Sequence, residues 1–109
     1  MGRADFSANR VLKALREELR ALYGEHLVWL VLFSPHVDAK EKPGDPLEVL
    51  AVLRGESGVA EEPEKIRGLL ERLSRTFGEE ILCRFATEKD YVLKKDPFLE
   101  GVRRDGVLL

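Results

Sequence analysis

Apolar positions along the chain fall into runs with different periods. Between Ser7 and Gly24, SANRVLKALREELRALYG places Val11, Leu12, Leu15, Leu19 and Leu22 at helical spacing and predicts a helix with one buried face. Ser7 is placed to cap its start and Gly24 to end it. HLVWLVLF, from His26 to Phe33, is continuously apolar, as expected of a central strand covered on both faces. A turn-rich interval, SPHVDAKEKPGDP, separates it from a second apolar run, Leu47 to Leu53, which only Glu48 interrupts. RGESG punctuates the chain again. Pro63 then opens a predicted helix running to about Phe77, with Ile66, Leu69, Leu70, Leu73 and Phe77 on one side. Glu61, Glu62 and Glu64 at its start and Arg72 and Arg75 near its end suit the helix dipole, and Gly78 stops it.

EILCRFAT, from Glu80 to Thr87, predicts a third strand, and Thr87 with Asp90 resembles a capping box for a short helix, EKDYVLKK. PFLEGVRRDGVLL closes the pattern with a helical turn or two, a break at Gly106 and a brief apolar strand. The predicted order is α-β-β-α-β-α-(α)-β, with no internal repeat and no linker. One domain over residues 1–109 is expected, of α+β class. Two long helices suffice to cover one face of a small mixed sheet, so the helices are expected mainly on one face.

Composition narrows the function classes. A net charge of −2 gives no concentrated basic surface, so nucleic acid is not expected as the main partner. Cys83 is the single cysteine and has no internal disulfide partner, which points to a reducing compartment. MGRADFSANR lacks a signal-peptide core, and LVWLVLF is too short to span a bilayer; a cytoplasmic location with no membrane partner is expected. One Asn, no Gln, one Met and one Cys stand against 18 Lys and Arg and 20 Asp and Glu, a balance typical of thermophile proteins.

Isolated polar residues offer little chemistry by themselves. His36-x-Asp38 has a spacing able to chelate a metal from an extended segment, but reads first as solvated loop. His26 reads as an exposed residue at a strand entrance. Cys83 reads as a buried inert thiol, with Arg84 on the opposite face of its strand. Arg84, Arg103 and Arg104 could form a small basic site, which Glu100 and Asp105 offset. Phe98, Leu99 and Val102 read as core or as an apolar edge for a partner.

LYGEHLVWLVLF, the turn KPGD and the tail DPFLEGVRRDGVLL together resemble the small, minimal-type nucleotidyltransferase domains of the polymerase-β superfamily. The resemblance runs from about Leu19 to Leu109. In that family a Gly-Ser at the strand end cradles a triphosphate, and strand acids hold two Mg²⁺ ions. Here Ser34 stands at the glycine position, Pro35 at the serine position, His36 at the first basic position and Asp38 at a later arginine position. Pro46 falls on the first metal aspartate, Glu48 on the second, and Glu80 is the candidate for the third acid. Proline brings no donor, so Ser34, Pro35 and His36 form a vestigial phosphate loop and Glu48 is the only candidate metal ligand. The resemblance therefore implies a catalytically degenerate nucleotidyltransferase without a cofactor. It would act as an antitoxin-like binding module for a small helical partner protein, or for a second copy of itself. The rival expectation is an active Mg²⁺-dependent enzyme transferring AMP from ATP, with Glu48, Glu80 and Asp45 or Asp38 as non-standard carboxylates.

Overall fold

The computed structural model describes residues 6–34, 46–55 and 58–109. The helix α1 spans Phe6–Tyr23, and a single 3-10 turn, Gly24–His26, delivers the chain into strand β1, Leu27–Ser34. Strand β2 is Leu47–Leu53, followed by helices α2, Glu62–Lys65, and α3, Arg67–Phe77. Strand β3, Ile81–Thr87, leads directly into helix α4, Glu88–Leu93. Helix α5, Pro97–Asp105, and strand β4, Val107–Leu108, complete the order.

Local chemistry accounts for most of these boundaries. Gly24 and Gly78 both take the left-handed conformation (φ 59° and 73°) that ends a helix at little cost only for glycine. Thr87 Oγ1 accepts the Asp90 amide at 3.0 Å, and Asp96 Oδ1 accepts the Phe98 amide at 2.8 Å, capping α4 and α5. Helix α1 starts at Phe6, so Ser7 lies inside it instead of capping it. The single helix expected from Pro63 to Phe77 is kinked. Ile66 leaves helical geometry (φ −105°, ψ 9°), although Ile66 still donates to Glu62 and Leu70 to Ile66. Ile66 is completely buried and Gly68 follows two residues later, so packing decides the backbone where helix propensity is weak.

The four strands form one mixed sheet in the order β3-β2-β1-β4. β1 pairs antiparallel with both β2 and β4, whereas β2 and β3 are parallel. A parallel pair needs a crossover, which α2 and α3 supply. The α+β class with a small mixed sheet is thus observed.

Helices lie on both faces. Val11, Leu15 and Leu19 of α1 and Leu73 of α3 pack with Leu27, Leu30, Val49, Ala51 and Ile81 on the first face. On the second, Leu99 and Val102 of α5 cover Val31, Leu50, Val52 and Ala86, with Trp29, Phe33 and Tyr91 around them. The helices are therefore not mainly on one face: the two long ones take the first and α4 and α5 the second, because β1 and β2 are apolar on both sides and a bare second face would expose Val31, Leu50 and Val52. Leu22, expected on the buried stripe, is 55% exposed. Four residues on from Leu19 comes Tyr23, and it is Tyr23 that turns inward.

β1 carries two register shifts against β2, between Leu27 and Trp29 and between Leu32 and Ser34. The second makes Phe33 an extra residue in β1, at the strand end nearest the long loop. No helix among the described residues is long and apolar enough to cross a membrane.

Candidate functional site at the head of the second strand

Glu48 sits at the start of β2 on the parity of Leu50 and Val52, and so on the second face of the sheet. Its register partners are Ser34 of β1 and Leu82 of β3. Pro46 is half-buried just ahead of the strand. Glu80, exposed, precedes β3, and its carbonyl accepts the Leu47 amide at 2.8 Å. Glu48 and Glu80 both line an open groove of about 760 Å³ that runs along β3 and the flank of α3, with Leu82, Cys83, Arg84 and Leu70 among its walls.

Neighbouring chemistry on this face is cationic and aromatic. The Arg84 guanidinium lies 4.1 Å from the centre of the Phe98 ring, within cation–π range. Phe98 in turn meets Phe33 edge-on at 5.2 Å between ring centres. Phe33 keeps the parity of Trp29 and Val31, which delivers its ring to α5 just where β1 ends. Among the described residues, no group of three or more His, Cys, Asp or Glu side chains is placed to hold a metal ion. Among the described residues the donor set does not fit the two-metal site of the resemblance: Pro46 offers no side-chain ligand atom, and of the named candidates Glu48 and Glu80 remain. Pro35, His36, Asp38 and Asp45 lie outside the described residues, as does the Ser34 side chain.

The remaining candidates take structural positions. His26 is exposed, and its carbonyl accepts the Arg54 amide at 2.8 Å. Cys83 keeps some exposed surface, but its side chain packs against the first-face core, and burial pushes its thiol up to about 12. Arg84 is on the other face of the strand, as expected. Arg103 donates to the Tyr91 carbonyl and, at 3.4 Å, to that of Lys94, closing the C-terminal end of α4. Arg104 pairs with its neighbour Asp105 at 3.2 Å. Each of the three arginines thus has its own local partner. Leu99 and Val102 are core, and Phe98 is the half-buried ring beneath Arg84.

One polar contact had no signal in the sequence. The Tyr23 hydroxyl donates to Glu62 Oε1 at 2.6 Å, joining the end of α1 to the start of α2 across 39 positions of chain. Lys65 donates to the other carboxylate oxygen at 3.2 Å. Glu62 is only 8% exposed, and the Tyr23 hydrogen bond, aided by Lys65, holds its carboxyl below the usual range despite burial. Burial and the facing carboxylate push the Tyr23 phenol well up. Helix dipole preference accounts for Glu62 in a first turn, and its tertiary partner turns it inward.

No protein-family model, no curated protein and no solved structure matches the chain. The chain is an α+β fold with a four-stranded mixed sheet and helices on both faces.

Proposed function

We propose that the chain is a nucleotidyltransferase-like module that has lost catalysis and serves as an antitoxin-like binding partner for a small helical protein in the cytoplasm. One observation carries the reading: Pro46 stands immediately before β2, two residues before Glu48, where the resembling family needs a carboxylate. Further support comes from the framework around it. An apolar central strand, a turn-rich connection and an antiparallel second strand are kept, while the ligand positions are substituted. A frame retained without its chemistry serves recognition.

The test is calorimetric and chemical. Purified protein titrated with ATP and Mg²⁺ is expected to give no heat, and incubation with a helical partner and labelled ATP no transferred AMP. Metal-dependent AMP transfer by the purified chain would overturn the proposal. The active-enzyme reading is favoured by one observation, that Glu48 and Glu80 line one groove. It requires Mn²⁺ bound between them in crystals soaked with a nucleotide analogue.

A further inference from the structure

The two edges of the sheet are unequal. β4 is two residues long, whereas β3 runs seven residues in unbroken register with β2. Long edges are usually blunted by proline, a bulge or a covering element, because an open ladder invites another strand. β3 has no proline and no bulge, and among the described residues no strand pairs with its outer side. Since the Glu80 carbonyl is turned to β2, ladder alternation turns the amides of Leu82 and Arg84 to β2 as well. Those of Ile81, Cys83 and Phe85 face outward.

On the second face this edge presents Glu80, Leu82 and Arg84 in order. Leu82 is 43% exposed, an apolar side chain between two opposite charges. Reversed, the triplet reads Arg, Leu, Glu, so it is complementary to itself. An antiparallel copy centred on Leu82 sets leucine against leucine and Glu80 against Arg84 of the second copy, twice. In that register these are non-hydrogen-bonded pairs, in which facing Cα atoms come to about 4.5 Å and side chains touch best. Ile81 and Cys83 of the second copy then exchange backbone hydrogen bonds through their outward amides. Other centres lose the match: a two-fold at Cys83 sets Leu82 against Arg84, and one at Arg84 sets guanidinium against guanidinium. Stacking on Phe98 occupies a face of the Arg84 guanidinium and leaves its N–H edge for a carboxylate.

The helix beside the edge repeats the theme. Glu64, Arg67, Glu71 and Arg75 line the same groove at spacings of three and four, with alternating sign. A two-fold axis reverses that row and lets acids of one copy oppose bases of the other.

We propose that the β3 edge is the docking site for a second copy of this chain. Antiparallel β3 pairing about Leu82 joins two four-stranded sheets into one of eight strands. This stands independently of the lost-catalysis reading, since it uses neither Glu48 nor Pro46. Light scattering coupled to size exclusion is expected to give twice the monomer mass at micromolar concentration. R84E, which sets acid against Glu80 of the second copy, is expected to give monomer, and so is L82K. The double reversal E80R/R84E restores the pairs and is expected to restore the dimer. In a Cys83→Ala background, Leu82→Cys is expected to form an intermolecular disulfide under mild oxidation, because only this register brings position 82 against itself. A monomeric wild-type chain overturns the proposal, as does a dimer whose mass R84E and L82K leave unchanged. Protection of the Ile81, Cys83 and Phe85 amides only after a different protein is added would assign the edge to that protein and equally overturn it.

Discussion

Gly106 lies where α5 hands the chain to β4, and replacing it with alanine measures how tightly that junction is pressed against the sheet. Its φ of −71° is open to any residue, so the backbone raises no objection. Space does. A Cβ there would sit 2.5 Å from Val31 Cγ1 and 2.6 Å from the Val102 carbonyl oxygen, roughly 0.8–0.9 Å inside the 3.4 Å at which ordinary contact begins. The valine methyl could yield by rotation. The carbonyl belongs to the helix backbone and already accepts the Gly106 amide at 2.8 Å, so relief there means moving α5 or peeling off β4. Overpacking of this kind costs about 1–3 kcal/mol. With about 2.1 cal/mol/K of unfolding entropy per residue, a chain of 109 residues loses about 4 °C per kcal/mol, so G106A should melt about 4–13 °C lower. Gly101, one helical turn and a residue earlier, is the internal control. A Cβ there meets nothing closer than 3.9 Å, and mid-helix Gly→Ala should stabilise by about 0.5–1 kcal/mol. Urea melts of the two variants give the free energies, and exchange of the Leu109 amide, which bonds the Leu30 carbonyl at 2.8 Å, reports whether β4 has detached. G106A within 0.5 kcal/mol of wild type and with unchanged Leu109 protection would refute the close-approach argument.

Tyr23→Phe removes a hydrogen bond to a charged acceptor and is expected to cost about 1.5–3 kcal/mol in a urea melt at neutral pH. The sign with pH follows from both partners. Glu62, held low, contributes stability that is present above the ordinary carboxylate range and lost as pH falls through its folded-state value. Tyr23, held high, contributes stability complete below about 10 and lost as pH rises beyond it. The gap between wild type and Y23F should therefore be widest at neutral pH and narrow at both extremes; a gap flat down to pH 3 contradicts the assignment. Cys83 should react with a thiol reagent at pH 8 on the order of 10²-fold more slowly in the native chain than in urea, and equal rates would contradict a buried thiol. Asp96→Ala strips the α5 cap and should cost about 0.5–2 kcal/mol, with Asp96→Asn recovering most of it.

Element order was legible because each segment carries its own period and its own stop. The run from Leu27 to Phe33 had no polar face to offer solvent, so a covered strand was the only economical reading, and β1 indeed has apolar residues on both sides. Gly24, Gly78 and Thr87 announced boundaries because their roles depend on local backbone alone. The inner position of Tyr23, the kink at Ile66 and the extra residue at Phe33 were hidden for the opposite reason. Each is settled by a partner distant in sequence: Glu62, the first-face core and the pairing with β2 respectively. At the candidate site, the parity of Glu48 and Glu80 could be counted along the strands. Arg84 stacking on Phe98 could not, since it depends on α5 crossing the second face.

Trp29, the chain's one tryptophan, stands on that second face, tilted against Tyr91 of α4 at 5.5 Å between ring centres. Tyr91 is also the residue whose carbonyl Arg103 of α5 holds. The long-helix side has no indole at all. Fluorescence excited selectively from tryptophan is therefore weighted to this side, reporting when α4 and α5 leave the sheet. Far-ultraviolet circular dichroism weighs the two long helices most heavily. Coincident melts by the two signals would show the layers unfolding as one cooperative unit, and a fluorescence change that comes first would show the α4–α5 layer opening alone.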